Sequence, residues 1–283
     1  MKSSGVHADP ASAYCPKEYW TGVAHGKASG DATGFAPVLH PDAPAWFNRL
    51  IDGLQFQAVR RALKVGDVRE GMCILDVGCG TGRWLRRYRQ MGLHAMGVDA
   101  TLPMLRLALE RGTEAPLAAG QAQRLPFADG GFDCVSDITV VQHIPTDLQT
   151  DALGEMVRVL KPGGRLILME LIRGDGLHVF PRNPQDWIEQ VASRGARLLG
   201  WFGQEFLVLD RLFVRAARAI APGRGSAGLS SEHQSERAPL ARRTYWAIRH
   251  VTAPLSGWID PAVAKVIPGK MATHGVFVFR KES

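Results

Sequence analysis

The segment Leu75-Asp76-Val77-Gly78-Cys79-Gly80-Thr81-Gly82 constrains the chain more than any other. An apolar run from Met72 to Val77 passes directly into three alternating glycines, and Arg83 to Met91 then reads as a helix. A short apolar run bounded by turn residues is a buried strand. Glycine is the residue that lets backbone turn sharply and approach a ligand closely. Strand, glycine turn and helix in that order open an α/β domain with a ligand site at the strand's C-terminal end. The spacing is Gly-x-Gly-x-Gly, and Arg83 stands where a dinucleotide fingerprint needs its third glycine. Asp76 places a carboxylate where a pyrophosphate would be repelled. A nicotinamide dinucleotide is therefore disfavoured.

The alternation continues downstream. His94 to Val98 reads as a second strand and Pro103 to Arg111 as its helix. Phe132 to Val141 is a strand set up by the Asp129-Gly130 turn. A helix over Leu148 to Leu160 is stopped by Lys161-Pro162-Gly163-Gly164, and Arg165 to Leu171 is the next strand. Pro184 to Ser193 is a helix and Ala196 to Phe202 a strand. The expected fold is α/β: a Rossmann-like, seven-stranded, mostly parallel sheet with helices on both faces. The core is expected over residues 66–203.

Two additions flank this core. Residues 1–65 form an N-terminal arm and helix capping the active site. The arm is rich in Gly, Ala, Ser and Pro and is expected to be irregular, docking through Tyr14, Tyr19 and Trp20. The helix starts at Asp42-Ala43-Pro44 and runs through apolar positions from Trp46 to Leu63, with Gly66 as its C-terminal stop. Residues 204–270 form a helical and linker insertion, with linker composition over 221–238, that serves as a lid or acceptor pocket. Residues 271–283 return as the terminal strand of the core sheet.

Charge is uneven. The 283 residues carry a formal net charge of +7. The stretch Arg211 to His250 holds eight Arg against two Glu and no Lys. Solvated helix faces explain such a run; attraction of an anionic substrate, an acidic partner or a membrane surface also fits it. The polar N-terminus lacks the apolar segment of a secretory signal, and no apolar run approaches the ~20 residues of a membrane span. A cytoplasmic protein without a membrane span is expected. The cysteines Cys15, Cys73, Cys79 and Cys134 lack metal-ligand spacing, so no metal site is expected.

The runs Ile74 to Trp84, Val98-Asp99, Leu125 to Asp133 and Val159 to Gly164 together resemble the class I S-adenosylmethionine (SAM)-dependent methyltransferases. The similarity is greatest to the small-molecule branch that includes the ubiquinone and menaquinone biosynthesis enzymes. It covers roughly residues 70–172 and the terminal strand. The resemblance implies SAM as cofactor, with Asp76, Gly78, Cys79 and Gly80 around its methionine part. An ammonium and a sulfonium suit an acidic strand end. Asp99 and Ala100 would lie at the ribose, at the spacing where an acid accepts from both hydroxyls. Asp99 equally suits the start of the helix at Thr101-Leu102-Pro103. Gln121 and Ala122 would lie by the adenine. Relatives carry Asp where Gln121 stands, yet a Gln carbonyl still accepts from an amino group.

Gln142 and His143 would border the transferring methyl. His143 is the candidate catalytic residue, either as a general base or as a group that packs against SAM and orients the acceptor. Asp137, Glu170, Arg173 and His178 are weaker candidates. The resulting expectation is methyl transfer to an oxygen or nitrogen of a small-molecule acceptor, an anionic one included. Nucleic acid is disfavoured, because no Asn/Asp-Pro-Pro-Tyr tetrapeptide follows the fourth strand; the stretch reads Asp137-Ile138-Thr139-Val140. RNA or protein modification and non-catalytic SAM binding are the alternatives. The sequence leaves the oligomeric state open.

Overall fold

The computed structural model describes residues 14–27, 39, 43–174, 178–220 and 239–282. Its centre is one seven-stranded sheet in the order β3-β2-β1-β4-β5-β7-β6. The strands are β1 (Cys73–Val77), β2 (His94–Asp99), β3 (Leu117–Ala119), β4 (Phe132–Ile138), β5 (Leu160–Leu171), β6 (Ala196–Gln204) and β7 (His274–Lys281). The first five are parallel, and β7 runs antiparallel between β5 and β6. The sequence therefore predicts the sheet's class and its inserted last strand correctly. Strands buried on both faces need continuous apolar runs, and Ile74, Leu75 and Leu166 to Met169 are all sealed from solvent.

Helices α1 (Pro16–Lys27), α2 (Ala45–Val65), α3 (Arg83–Gln90), α4 (Leu102–Glu110), α5 (Thr146–Val159), α6 (Pro184–Ala192), α7 (Val208–Ile220) and α8 (Pro239–Val266) complete the chain. Two apolar clusters flank the sheet. One gathers Leu153, Met156, Trp187 and Phe277; the other gathers Val59, Leu63, Trp84 and Tyr88.

Three expectations need correction, and a fourth, the stop at Gly66, holds in another backbone conformation. Residues 16–27 are helical, not irregular; a Gly- and Ala-rich composition hid a turn-by-turn apolar face that buries Val23 and Ala24 against Met104. The sequence does not signal β3, because three residues, Leu117 to Ala119, are too few to carry a strand periodicity. Lys161-Pro162-Gly163-Gly164 does not separate helix from strand: α5 ends at Val159 and β5 starts at Leu160, running through the turn residues. Gly163, at φ +74°, makes this passage possible, and the pairing of β4 with β5 shifts register alongside it. Finally, Gly66 ends α2 in right-handed backbone, and the left-handed residue is Asp67. The linker expected at 221–238 lies outside the described residues.

The sequence runs matched above are stitched together by charge. Lys161 Nζ bonds Asp133 Oδ1 at 2.7 Å, and Asp133 Oδ2 accepts from the Cys73 N–H at the start of β1. Arg158 of α5 donates to the Leu125 and Phe127 carbonyls and to Asp129. The Leu-Pro-Phe-Ala-Asp-Gly-Gly segment is thus pinned under the sheet and away from the C-terminal strand edge.

Candidate active site

The site is built on the C-terminal ends of β1, β2 and β4. Gly78 and Gly82 have φ of +65° and +73°. A Cβ on Gly78 would fall 2.5 Å from the Val140 side chain, and one on Gly82 would fall 2.1 Å from Thr113 Oγ1. Neither position admits another residue without moving its neighbour, and both backbone conformations are costly for L side chains. Gly82 then serves as the N-cap of α3. The result is a tight backbone cradle at the strand ends, with Val140 and Thr113 packed against its glycines.

Asp99 closes the cradle's far side. Its Oδ2 accepts from the Gly80 N–H at 2.9 Å and its Oδ1 from the Thr101 N–H at 2.8 Å. The N-cap of α4 is Thr101 and not Asp99, which instead accepts from the N–H of that cap residue and lies against the glycine turn. Burial raises its pKa, opposed by those two N–H groups. The Gly120 N–H bonds the Asp99 carbonyl, bringing Gln121 and Ala122 to the same edge, Gln121 exposed and Ala122 buried. Ala100 follows at the end of β2, half-buried. Cys79 is buried, and burial holds its thiol well above the usual range.

Asp76 is sealed beneath the turn. Its Oδ1 accepts from Ser136 Oγ at 2.8 Å, while Oδ2 is buried without a partner. Burial raises its pKa to about 7. An unpaired buried carboxylate oxygen is costly unless a donor or cation completes it. With the cradle above, this fits a ligand that brings positive charge.

One strand over, Glu170 organises the loop after β4. Its carboxylate accepts from the N–H groups of Val140, Val141 and Gln142 at 2.9, 3.1 and 2.8 Å. These groups open a 3-10 turn at Val141–His143. Glu170, a weaker catalytic candidate in the sequence, here holds backbone. Asp137 is buried beside it, with its pKa pushed well up by burial and then by the Glu170 charge. Glu170 is raised to about 7 by burial, against the pull of its N–H donors. Thr139, at φ +61°, bends the chain between them, and no sequence signal marks a left-handed threonine.

Gln142 and His143 stand at this edge, as expected, but both are committed. Gln142 Oε1 accepts from the Leu171 N–H at 2.8 Å, and its Nε2 lies 3.3 Å from His143 Nε2. His143 Nδ1 donates to the His178 carbonyl at 2.8 Å, which leaves Nε2 as the acceptor for Gln142. Burial lowers the His143 pKa to about 4, so the imidazole is neutral at physiological pH with both nitrogens engaged. The Trp20 ring packs edge-on against it at 5.0 Å, and His178 stacks parallel at 5.4 Å. Tyr19 stacks in turn on His178 at 4.7 Å. The docking expected of Tyr14, Tyr19 and Trp20 thus takes place, on the site's own histidines. Arg173, two residues past the end of β5, is exposed.

The sequence missed one further pair at this edge. His274 Nδ1, at the start of β7, lies 3.2 Å from Glu205 Oε2, just beyond β6. Both are buried, and Glu205 sits at φ +64°.

Residues 75–168 match the family model described as a methyltransferase domain. The curated relatives match over the same core. The mouse (Mus musculus) protein named probable tRNA methyltransferase 9B is 38% identical over 103 residues, 36% of this chain and 22% of that one. The demethylmenaquinone methyltransferase of Renibacterium salmoninarum is 38% identical over 100 residues, 35% of this chain and 41% of that one. The match therefore spans less than half of either relative. Among solved structures, the [4+2]-cyclase SpnF aligns with a TM-score of 0.53 and 21% identity over 80% of each chain. A protein from Galdieria sulphuraria described as a putative sarcosine dimethylglycine methyltransferase gives 0.53 and 15%, over 80% of this chain and 83% of that one. These structural likenesses show the fold. With the glycine turn, the strand order and the matched core taken together, the chain carries a class I SAM-dependent methyltransferase domain.

Proposed function

We propose that this chain transfers a methyl group from SAM to an oxygen or nitrogen of a small-molecule acceptor. The observation that carries the reading is the buried Asp76 carboxylate, one oxygen without a partner, beneath a glycine turn that admits no side chain at Gly78 or Gly82. Gly78 to Gly82 and Asp76 would hold the cationic methionine end, Asp99 the ribose, and Gln121 and Ala122 the adenine. SAM, when bound, supplies an electrophilic methyl that an acceptor lone pair takes in line with the departing sulfur.

The chain's own work is positioning and exclusion of water. Glu170 fixes the loop that carries Gln142 and His143. The neutral His143 ring, backed by Trp20, His178 and Tyr19, forms an aromatic wall that orients a flat acceptor. With its pKa near 4 and both nitrogens bonded, His143 serves better as that wall than as a proton acceptor. The segments 1–65 and 204–270 would complete the acceptor pocket.

The test is incubation of the full chain with methyl-labelled SAM and a panel of phenols, quinols and amines, with total tRNA as a parallel acceptor. Label on a small molecule is expected. The likeness to the mouse protein named probable tRNA methyltransferase 9B supports tRNA modification as a second reading, and label on tRNA alone would favour it over the first.

A further inference from the structure

Beyond β5 the strand edge carries a second polar cluster, which the cofactor site does not use. The glycine cradle ends β1, and β5, β7 and β6 follow on the far side of β4. His274 opens β7 and pairs with Leu171 of β5 and with Gln204 of β6. Cross-strand partners point to one face, so Gln204 and His274 stand side by side. Both are more than nine-tenths buried. Neither amide atom of Gln204 finds a hydrogen-bond partner among the described residues. His274 Nδ1 lies 3.2 Å from Glu205 Oε2, at ion-pair distance, and Nε2 hydrogen-bonds none of the described residues. Glu205 is fixed for this contact. Its backbone is left-handed at φ +64°, and such strain persists only where the surroundings over-determine it. Its carbonyl accepts from the Thr273 N–H and hydroxyl and from Arg211 of α7. Asp260 of α8 accepts from the next two N–H groups, those of Phe206 and Leu207.

We propose that Glu205 and His274 form the dyad that takes the proton from a hydroxyl acceptor, with the Gln204 amide binding the acceptor's polar end. The inference rests on the methyl-transfer reading and narrows its acceptor to a hydroxyl, phenols included. A carboxylate beside Nδ1 selects the tautomer with its proton there, which leaves the Nε2 lone pair for the acceptor. His143 is poorly suited to this part, because both its nitrogens are engaged. The two histidines share one edge. Gln142 Oε1 accepts from the Leu171 N–H, and Leu171 is one strand step, about 4.8 Å, from His274. A positive charge on His274 is felt by both His143 and Glu170. In the step, the acceptor O–H bond breaks and its proton goes to Nε2. The oxygen's electron pair forms the bond to the methyl carbon, and the carbon–sulfur pair stays on sulfur, which becomes a neutral thioether. The imidazolium so formed faces Glu205 and later gives its proton to water.

The experiment compares phenol with 4-nitrophenol, whose ionised form absorbs in the visible. The full chain, saturated with S-adenosylhomocysteine, is mixed with 4-nitrophenol at a pH where the free phenol is largely neutral. Wild type is expected to raise the phenolate band, and His274→Gln is not. With SAM, His274→Gln is expected to lose about a hundredfold or more in kcat on phenol, within the range of general-base catalysis. On 4-nitrophenol above its own ionisation, where no base is needed, the loss is expected to stay below about tenfold. Glu205→Gln keeps the shape without the charge and is expected to show the same order with smaller losses. Unchanged SAM affinity by calorimetry shows that the variants are folded. No phenolate band with wild type, or equal losses on the two phenols, would overturn the dyad and leave methyl transfer standing. Methylation of amines alone would do the same. A chain that binds SAM and methylates none of these acceptors would instead remove the methyl-transfer reading, and the dyad with it.

Discussion

Arg83 Nη1 donates to Asp52 Oδ1 at 2.8 Å, with both side chains almost wholly buried. The bond ties α3, the helix that leaves the glycine turn, to α2 outside the core domain. Arg83 also donates to Gln55, and Arg87 shares the second oxygen of Asp52. The arginine that replaces the third fingerprint glycine thus fixes the helix whose N-terminus frames the site. Asp52→Ala leaves Arg83 buried without its charge partner and is expected to cost about 3–5 kcal/mol, because an unpaired buried charge is far costlier than the pair is stabilising. Denaturant unfolding checks this; a loss below about 1 kcal/mol, the range of an exposed pair, would contradict it.

On the proposed placement of SAM, Asp76 makes its binding depend on pH. Its pKa is raised to about 7 by burial, and a cation beside it favours the ionised form. Affinity is therefore expected to be constant above that value and to fall as pH drops below it, by up to about tenfold per unit. Asp76→Asn should bind more weakly and lose the dependence. Titrations between pH 5.5 and pH 8.5 decide this; a wild-type profile as flat as the variant's would refute the placement.

Asp137 and Glu170 make folding stability depend on pH in a defined direction. Both carboxyls hold raised pKa values, so the folded chain keeps protons that the unfolded chain releases above about pH 4. Their contribution to stability is highest at low pH and is lost as pH rises from about 4 through the raised folded-state values, about 7 for Glu170, at up to about 1.4 kcal/mol per unit for each group. Asp137→Asn keeps a hydrogen-bond donor beside Glu170 and removes one titration. A higher Tm at pH 8 and a flatter pH profile are expected, measured by calorimetry. Glu170→Gln should instead lower the Tm above about pH 7, where the three N–H groups lose an ionised acceptor.

The sequence made the strand ends legible and left the wall above them obscure. Gly78, Gly80 and Gly82 announce their backbone because only glycine suits it, and Asp76 and Asp99 end strands of readable apolar pattern. Thr139 and Glu205 adopt left-handed backbone that their residue types do not advertise. The contact of Trp20 with His143 joins residues 123 positions apart through a helix whose composition reads as an arm. Tertiary packing, with no local signal, decides such placements.

That contact yields its own test. Trp20 helps enclose His143, whose pKa lies near 4 through burial. Trp20→Ala opens the ring to water and is expected to move the His143 pKa up toward its ordinary value of about 6.5. The shift is read from the imidazole resonances by NMR; an unchanged titration would show that α1 does not cover the site in solution.

The central claim is that the turn at residues 78–82, flanked by Asp76 and Asp99, holds SAM. Calorimetric titration of the intact chain with SAM and, separately, with NADH tests it most directly. Saturable binding of SAM at one site per chain, with none of NADH, is the expected result. A folded chain that binds NADH and ignores SAM would contradict the whole account.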